Sequence, residues 1–257
     1  MTLLSVKHLD KSFGGVNAIS SLSFDVPEGI VFSVIGPNGA GKTTLFNMFC
    51  GFYKPDQGSI AFKSENKTYE LEKMQTYDIA ACGISRSFQN LQIFFNMTAI
   101  ENVMVGCHLQ SSSHFIPSLL RFPSVIKEEE KVHQQALDAL KFCHLDHFAD
   151  EMADSLPYGD LKRLEIARAL ASKPRLLMLD EPAAGLNDTE TQQMSDLIRR
   201  ICDAGITVLL VEHNMELVMK CSDQILVLNF GCLLAEGTPE EIQNNPTVIQ
   251  AYLGEEI

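Results

Sequence analysis

The pattern of apolar and polar positions along the chain predicts an α/β protein. Residues Ser21 to Val26 alternate between polar and apolar with a period of two, which is typical of a strand with one buried face. Residues Leu176 to Asp180 and Ile206 to Val211 form almost continuous apolar runs, and such runs indicate central parallel strands that are covered on both faces. We therefore expect a parallel sheet in the core.

Shorter elements flank these strands, and turn residues mark their ends. The predicted elements are strands at Leu3 to Val6 (before Gly14-Gly15) and Ser59 to Phe62, a helix at Thr44 to Cys50, and a late hairpin of Ile225 to Leu228 with Gly231 to Ala235. From about Asn90 to Asp154 the strand pattern disappears, and long helical patterns run over Ala99 to Leu109 and Ile126 to Phe142. This change predicts a mostly helical lobe inserted into the α/β core.

The composition allows a sizeable core, because 46% of the 257 residues are hydrophobic. Such a chain forms one large α/β domain or a core with a smaller attached lobe. No apolar run approaches the ~18 residues that cross a bilayer, and the N-terminus has no signal-peptide pattern. The sequence therefore predicts a soluble, cytosolic protein.

The formal net charge of −13 narrows the choice of partners. Proteins that bind DNA or RNA usually carry the opposite sign, so no nucleic-acid partner is expected. Direct adhesion to an anionic membrane is disfavoured for the same reason. If the protein acts at a membrane, another protein must hold it there.

The seven cysteines are scattered and include no CxxC pair. Cys107-His108 and Cys143-His144 are candidate metal ligands, but neither has a second pair at the spacing of a zinc site. Buried free thiols are the favoured interpretation, and they fit a reducing compartment.

A glycine-rich stretch follows the apolar run Ile30 to Ile35 and has the spacing GxxxxGK[ST] of a phosphate-binding loop. Its glycines can adopt backbone angles closed to other residues, and the helix that begins near Lys42 adds the positive end of its dipole. Lys42 can reach the outer phosphates, and the Thr43 hydroxyl can ligate Mg²⁺. The predicted phosphate-binding residues are Gly36, Pro37, Asn38, Gly39, Ala40, Gly41, Lys42, Thr43 and Thr44. A bare glycine turn is the alternative, but the strand, the lysine and the hydroxyl together favour a nucleoside triphosphate.

Two carboxylates end the apolar run at Leu176, and a histidine follows the run at Ile206. Asp180 lies at the end of a predicted strand, where it can hold Mg²⁺ through water beside Thr43. Glu181 can accept a proton from an attacking water. His213 lies where open α/β sheets place ligand groups, so we expect it to bond the γ-phosphate and orient Glu181. A solvated acid pair and a surface or core histidine are the alternatives, and the combination of motifs counts against them.

The segment Ser155 to Leu170 contains the turn Leu156-Pro157-Tyr158-Gly159-Asp160 just before a helical pattern. It resembles the signature sequence of ATP-binding cassette (ABC) ATPases. The resemblance implies that Tyr158, Gly159 and Asp160 contact, through backbone amides and the helix dipole, the γ-phosphate of ATP held by a second subunit. Pro157, Tyr158 and Asp160 differ from the usual serine, glycine and glutamine. We expect Asp160 to cap the helix, so that Gly159 and the helix start carry the phosphate contact.

Other ABC features follow the family's order along the chain. Ser87-Phe88-Gln89 resembles the Q-loop, which implies that Gln89 lies near Mg²⁺ and the attacking water. Asn187 and Asp188 occupy the position of the D-loop. Phe13 matches the aromatic residue that stacks on adenine. Taken singly, Phe13 and Gln89 would be ordinary core or loop residues. Their order around the phosphate loop is what makes them candidate site residues.

The resemblance covers nearly the whole chain, and it is strongest to the ATP-binding subunits of bacterial branched-chain amino acid importers. Segments that carry it are Ser12 to Gly15, Gly51 to Pro55, Leu164 to Arg168, Asp180 to Asn187 and Val248 to Glu255. It implies an α/β fold: a P-loop NTPase (RecA-like) core with an N-terminal antiparallel β subdomain and an inserted helical subdomain. One ABC ATPase domain would then span residues 1–257, with a core at 1–89 and 160–235, a helical lobe at 90–159 and a tail at 236–257.

The resemblance also implies a function: hydrolysis of ATP with Mg²⁺ to drive import of a small solute through a separate membrane permease. The solute would be a branched-chain or other hydrophobic amino acid, with urea or short amides as alternatives. The implied partners are a second ABC ATPase subunit (identical or related), the transmembrane permease and, indirectly, a periplasmic or extracellular binding protein. The chain would be cytoplasmic and peripheral on the inner face of the cell membrane. Closure of two cassettes would place Glu181, His213, Gln89 and Lys42 around the γ-phosphate.

Two questions stay open at this point. Ile93, Phe94 and Phe95 are an apolar strip that either docks the permease or packs inside the lobe. A soluble ABC ATPase that acts as a mechanical switch outside transport is the alternative function. Ribosomal ATPases of that kind generally carry two cassettes, and chromosomal ones insert a long coiled coil, and this sequence shows neither feature. A small-molecule kinase would have no use for the signature helix.

Overall fold

The computed structural model describes residues 1–64, 67–87, 91–107 and 123–253. The chain divides into two compact units, one of residues 1–86 with 175–257 and one of residues 87–174. The sequence-based boundary placed residues 160–174 with the nucleotide-binding core. The structure groups them with the helical unit, because the helix Tyr158–Ala171 packs against the helices Ala99–Gly106 and Pro123–Phe142 of that unit.

The described residues contain the following regular elements. The strands are β1 Thr2–Phe13, β2 Val16–Pro27, β3 Val31–Ile35, β4 Gln57–Ser64, β5 Lys67–Glu70, β6 Ile84–Arg86, β7 Leu176–Asp180, β8 Thr207–Val211, β9 Gln224–Asn229 and β10 Cys232–Gly237. The helices are α1 Lys42–Phe49, α2 Thr76–Ala81, α3 Ala99–Gly106, α4 Pro123–Phe142, α5 Tyr158–Ala171, α6 Asp188–Asp203, α7 Met215–Cys221, α8 Pro239–Gln243 and α9 Pro246–Leu253. Short 3₁₀ turns lie at Leu71–Lys73, Asp146–Phe148 and Ala153–Ser155.

The first unit contains two sheets. An antiparallel sheet has the strand order β2-β1-β4-β5. A second sheet has the order β10-β9-β3-β8-β7-β6, and within it β9, β3, β8, β7 and β6 run parallel. Only β10 is antiparallel, because it forms a hairpin with β9. The predicted antiparallel subdomain, the parallel core strands and the late hairpin are confirmed.

The parallel strands are buried because the chain covers both faces of their sheet. Every residue of β3, β7 and β8 is buried, as the continuous apolar runs predicted. Helix α1 shares a core with both sheets through Leu45, Phe46, Met48 and Phe49. This packing fixes the start of α1 against the end of β3, where the glycine-rich loop joins them.

The C-terminal segment belongs to the same unit. Ile242 of α8 and Val248 of α9 form a smaller apolar cluster with Ile35, Val218 and Val227 of the sheet and its neighbouring helix. Thr238 begins α8 with a reciprocal capping arrangement, in which its side chain accepts a hydrogen bond from the Glu241 N–H. The tail is therefore packed on the sheet that carries the glycine-rich loop.

The second unit is helical, as the sequence predicted. Thr98 and Glu101 form a reciprocal cap at the start of α3. Gly106 ends α3 against α5, and a Cβ at Gly106 would lie 2.0 Å from the Arg168 carbonyl oxygen. Only glycine allows this close approach of the two helices. Helix α4 begins at Pro123, three residues before the predicted start.

Neither cysteine of the two Cys-His pairs is accessible. Cys107 and Cys143 are buried, and burial raises the pKa of the Cys107 thiol. His108 lies outside the described residues. Within the described ranges, no group of three His, Cys, Asp or Glu side chains has the arrangement of a metal site. In the same ranges, no helix has both the length and the hydropathy that crossing a membrane requires.

Candidate functional site

The glycine-rich loop joins β3 to α1 and has the conformation of an anion-binding loop. Gly36, Gly39 and Gly41 all have positive φ angles, of 151°, 78° and 104°. A Cβ at Gly36 would lie 2.1 Å from the Leu228 carbonyl oxygen, so this position admits no side chain. Gly39 has open space around it, and its constraint is the backbone angle alone. The first turn of α1 leaves its N–H groups without intrahelical acceptors, which is the property an anion site needs.

Lys42 lies at the first position of α1 and is 6% exposed. Its ammonium folds over the loop and donates hydrogen bonds to the carbonyl oxygens of Gly36 (2.5 Å) and Pro37 (2.9 Å). The charge is thus held above the concave side of the loop by backbone acceptors. An anion in the loop would meet a lysine that is already in place.

Strand β2 lies directly against the loop. A Cβ at Gly41 would be 2.4 Å from the Ala18 carbonyl oxygen, so the two backbones touch. Phe13 pairs with Val16 at the tip of the β1–β2 hairpin. Val16 is two residues from Ala18, or roughly 7 Å along a strand. The fold therefore brings the aromatic ring of Phe13, which is 42% exposed, to the neighbourhood of the phosphate loop.

Three adjacent parallel strands end at the same edge of the sheet. Asp180 of β7 pairs with Val211 of β8, and Val211 pairs with Val34 of β3. The residues that follow these strands are the glycine-rich loop, Glu181 and Glu212-His213. Ligand groups of open α/β sheets lie at this carboxyl edge.

Asp180 is buried and belongs to a charged network that the sequence did not predict. One carboxylate oxygen accepts a hydrogen bond of 2.7 Å from Arg86, the last residue of β6. The same guanidinium donates to Asn47 of α1 at 2.7 Å and lies 5.6 Å from the centre of the Phe46 ring. Arg86 thus connects β7, β6 and α1. No local pattern marks it, since β6 has only three residues and its partner Asp180 lies 94 residues away.

Glu181 and His213 lie in contact. The His213 Nε2 atom is 2.9 Å from a Glu181 carboxylate oxygen, and the two side chains are 44% and 20% exposed. Glu181 has a φ of 51°, which is uncommon for a residue with a side chain. Its N–H donates to the Val211 carbonyl at 2.8 Å, so this backbone angle is set by continued pairing of β7 with β8. A carboxylate and an imidazole in this arrangement can accept a proton and keep a fixed orientation.

Glu212 is a further site residue that the sequence did not reveal. Its side chain is buried, and one oxygen accepts from the Ala183 N–H at 2.8 Å. The other oxygen accepts from the N–H groups of His213 (2.9 Å) and Asn214 (3.1 Å). The carboxylate thus ties the loop after β7 to the loop after β8. The sequence feature that could have indicated this role is an acidic residue directly before His213 at the end of a buried strand.

The signature turn lies in the second unit, at the start of α5. Pro157 occupies the N-cap position of α5, and no side chain forms a capping hydrogen bond at this end of the helix. The predicted capping role of Asp160 is therefore wrong. Asp160 lies within the first turn and forms an ion pair with Arg163 one turn later, because Pro157 already occupies the cap position. Gly159 is buried, whereas the Tyr158 ring is 46% exposed with the Lys162 ammonium 5.8 Å from its centre.

Asn187 and Asp188 occupy the junction between the loop after β7 and helix α6. Asn187 caps α6: its side chain accepts from the Glu190 N–H at 3.0 Å, and the Glu190 carboxylate accepts from the Asn187 N–H at 3.0 Å. Asp188 is exposed at the first position of the helix. The amide of Asn187 is thus engaged in a cap in this chain.

Gln89 and Phe88 lie outside the described residues. The segment after them is described and belongs to the second unit. Ile93 is buried, and Phe94 and Phe95 are 44% and 48% exposed. Asn102 is fully buried, and it accepts from the Phe94 N–H (2.8 Å) and donates to the Phe94 carbonyl (3.0 Å). The three residues of the apolar strip therefore differ in environment. Ile93 packs inside the lobe, whereas Phe94 and Phe95 are partly exposed on a backbone that Asn102 holds in place.

The fold and the site together define a class: an α/β protein that binds a nucleotide through a phosphate loop at the carboxyl edge of a parallel sheet. Comparison with known proteins identifies the family within this class. Residues 19–184 match the family model of the ABC transporter, and residues 232–257 match that of the branched-chain amino acid ATP-binding cassette transporter. The chain therefore belongs to the ABC transporter family, and it is an ATPase subunit of that family.

Individual relatives align over nearly the whole chain. The high-affinity branched-chain amino acid transport ATP-binding protein BraF of Pseudomonas aeruginosa is 45% identical over 254 residues, which is 98% of each chain. The corresponding protein LivG of Escherichia coli strain K12 is 44% identical over the same share. A solved ATP-binding cassette of an ABC transporter, in its ADP conformation, is 33% identical, with a TM-score of 0.84 over 99% of both chains.

Proposed function

We propose that this chain hydrolyses ATP to drive import of branched-chain or similar hydrophobic amino acids through a separate membrane permease. The observation that carries the chemistry is the contact between Glu181 and His213, 2.9 Å apart, at the sheet edge that also bears the phosphate loop. A bound γ-phosphate would lie between this pair and the Lys42 ammonium. The choice of solute rests on the names of the relatives and on the match of residues 232–257.

Each residue of the site has a distinct task in this proposal. Glu181 accepts the proton of the attacking water, and His213 holds its carboxylate in position and bonds the γ-phosphate. Lys42 and the N–H groups of the glycine-rich loop bind the phosphates and stabilise the charge that develops on them. Phe13 stacks on the adenine ring. Gln89, which is outside the described residues, is assigned to the attacking water and the metal only by its resemblance to the Q-loop.

The residues near the loop fit a hard divalent cation such as Mg²⁺. Among the described residues the donors are a hydroxyl from Thr43 and a carboxylate from Asp180, both of them oxygen ligands that Mg²⁺ prefers. The resemblance to the family adds Gln89, which lies outside the described residues. Asp180 is buried and paired with Arg86, so it would hold the ion through a bound water. The cation would neutralise phosphate charge.

A complete ATP site requires two chains in this proposal. The phosphate loop and the signature turn are separate elements of one chain, and in this family each ATP is gripped by the loop of one subunit and the turn of the other. Gly159 and the start of α5 supply N–H groups to the ATP of the partner. Tyr158 and Asp160 flank that contact, and Asn187 and Asp188 lie at the predicted subunit boundary. The partner is an identical or a related cassette.

The exposed pair Phe94 and Phe95 supports a docking surface for the permease. Asn102 fixes the Phe94 backbone with hydrogen bonds of 2.8 and 3.0 Å, so the rings project from a rigid segment. Exposed aromatic residues on a fixed backbone are typical anchors of protein interfaces. Through this contact the chain would be held at the inner face of the membrane, and an external binding protein would deliver the solute to the permease.

Transport can be tested by rebuilding the whole system. The chain is co-expressed with candidate permease, cassette and binding-protein genes from the same genome, and the complex is placed in proteoliposomes. We expect ATP-dependent uptake of radioactive leucine that requires all components, and ATP hydrolysis that the loaded binding protein stimulates. Uptake of urea or short amides in place of leucine would correct the solute. Copurification of the chain with ribosomes and with no membrane protein would refute the transport function.

A further inference from the structure

The loop that joins α1 to β4, residues 50–56, lies against the end of β1 that carries Phe13. Three consecutive residues of β1 are bonded to a single residue of this loop. The Asp56 carboxylate accepts hydrogen bonds from the Lys11 ammonium (2.8 Å) and the Ser12 N–H (2.7 Å). The Asp56 N–H donates to the Asp10 carbonyl at 2.9 Å. The loop thus holds the three residues that precede Phe13.

The aromatic ring of Phe13 is itself in contact with this loop. The rings of Phe13 and Tyr53 are 5.1 Å apart between centres and inclined by 68°, an edge-to-face contact. The Lys11 ammonium lies 5.3 Å from the centre of the Phe13 ring. Phe13 still keeps 42% of its surface exposed, so a planar base has room to stack on it.

The hairpin tip needs such support. Pairing of β1 with β4 ends at Asp10 and Gln57, so residues 11–13 pair with β2 alone. An isolated two-stranded ribbon is marginally stable in water, and the turn at its end consists of Gly14 and Gly15, which have positive φ angles and, among the described residues, no neighbouring side chains to pack against. The contacts of Asp56 and Tyr53 replace the missing third strand at this point.

We propose that Asp56 and Tyr53 are positioning residues for the nucleotide base, acting through Phe13. They set the orientation of the Phe13 ring and hold the hairpin tip beside the phosphate loop, so that base stacking adds to phosphate binding. This inference rests on the proposed role of Phe13 in stacking on adenine. It assigns a function to the loop after α1.

The Asp56 contacts persist at neutral pH. The hydrogen bond from Lys11 lowers the pKa of the Asp56 carboxyl below its usual range, with a smaller contribution from the Ser12 N–H. The contacts are therefore complete above the pKa of an unfolded aspartate and are lost only as the pH falls through the lowered value. Exposed ion pairs contribute little to folding stability, so variants at Asp56 should still fold.

The test compares ATP with inorganic tripolyphosphate, which has the phosphates and no base. Affinities of the full-length chain for both ligands are measured by calorimetry for the wild type, Asp56→Ala and Tyr53→Ala. We expect ATP affinity to fall about three- to tenfold in both variants, the range of a lost aromatic contact, with tripolyphosphate affinity unchanged. Tyr53→Phe retains the ring and should bind ATP like the wild type. Asp56→Asn keeps an acceptor for Ser12 and should lie in between.

Two control variants remove similar groups elsewhere in the same unit. Glu70→Ala removes a surface carboxylate that pairs with Lys73 at 2.8 Å, and Tyr77→Ala removes an exposed tyrosine. Both should leave the ATP and tripolyphosphate affinities unchanged. Unchanged tripolyphosphate affinity in all variants also shows that the phosphate loop is folded.

Phe13→Ala separates failure of the inference from failure of the base assignment. If Phe13→Ala weakens ATP but not tripolyphosphate, while Asp56→Ala and Tyr53→Ala match the wild type, the positioning role is refuted and Phe13 keeps its role. If Phe13→Ala also leaves ATP affinity unchanged, both the base assignment and the inference fail. A parallel loss of ATP and tripolyphosphate affinity in Asp56→Ala and Tyr53→Ala would refute the inference as well, because the effect would not be on the base.

Discussion

The glycine-rich loop of the first unit and the signature turn of the second unit both lie at the N-terminal end of a helix, but they are built differently. The loop has three glycines with positive φ and a buried lysine whose ammonium is already held over it. The turn has one glycine between a tyrosine and an aspartate, and its negative charge is paired with Arg163. The loop therefore combines backbone N–H groups with a positively charged side chain, whereas the turn presents mainly backbone N–H groups.

This difference suggests separate roles for the two elements in binding and in hydrolysis. We propose that the first unit binds the triphosphate of its own chain, since that unit supplies the converging N–H groups and the Lys42 charge. The weak grip of the signature turn becomes useful only when the phosphates are already held by another copy. Changes in the first unit should therefore affect binding or chemistry directly, and changes in the signature turn should affect hydrolysis but not the affinity of a single chain.

The largest effect is expected for Glu181→Gln. The amide cannot accept the proton of the attacking water, whereas it keeps the shape of the site, so turnover should fall by about 10²- to 10⁴-fold while ATP still binds. Release of phosphate and ATP affinity are measured on the same preparation. Glu216→Gln, an exposed glutamate of α7, is the matched control and should be silent. Undiminished hydrolysis by Glu181→Gln would remove this residue from its role.

Lys42→Ala should weaken the grip of the phosphate loop itself. Loss of a charged hydrogen-bond donor to the phosphates should lower ATP affinity by about 10- to 100-fold. Calorimetry with ATP and with tripolyphosphate should show the same loss, because the lysine does not contact the base. Lys7→Ala, at an exposed position of β1, is the control. Normal affinity in Lys42→Ala would contradict the phosphate-loop assignment.

Gly159→Ala tests the other side of the comparison. Gly159 is buried at the start of α5, so an added methyl group would disturb the turn whose N–H groups we assign to the phosphate of the partner, and hydrolysis should fall about tenfold or more. The affinity of the dilute, single chain for ATP should not change. A melting curve equal to that of the wild type excludes a folding defect. Loss of ATP affinity in the dilute chain would show that the turn acts within its own subunit.

Glu212→Gln should have the smallest effect of this series. The amide keeps one oxygen for the Ala183 N–H but can no longer accept from His213 and Asn214, so the orientation of His213 is loosened. We expect kcat to fall about three- to tenfold with little change in KM, as for a lost hydrogen bond to a charged group. The Glu216→Gln variant again serves as the control. An equal rise of KM with unchanged kcat would point to a binding role in place of the positioning role.

The sequence predicted those parts of the fold whose signal is local. The predicted strand Leu176 to Asp180 has the same bounds as β7. The glycine-rich loop could be located because the spacing of its glycines and lysine is a recognisable local motif. Strand β6 was missed because three residues carry no periodicity, and its Arg86 meets Asp180 only through the sheet. The capping role predicted for Asp160 was wrong because Pro157 occupies the N-cap position. An aspartate in the first helical turn can pair with other groups, and the sequence does not show which one.

The contacts that position the site were also beyond the sequence, for a physical reason. Glu212 reaches Ala183 across 29 residues, and Asp56 reaches Lys11 across 45 residues. Such pairs are set by the order of the strands, and no single stretch of chain encodes them. The residues to which we assign the chemistry could therefore be proposed from motifs, whereas the side chains that hold them in place required the structure.

The central claim is that each ATP is hydrolysed between two chains, and the most direct test is the specific activity of the purified protein as a function of its concentration. We predict that the rate per chain rises with concentration under saturating ATP and Mg²⁺. We also predict that a mixture of Lys42→Ala and Gly159→Ala chains has a higher activity per chain than either variant alone, because the mixed pair contains one intact site. A rate per chain that stays constant on dilution to a proven monomer would contradict the account.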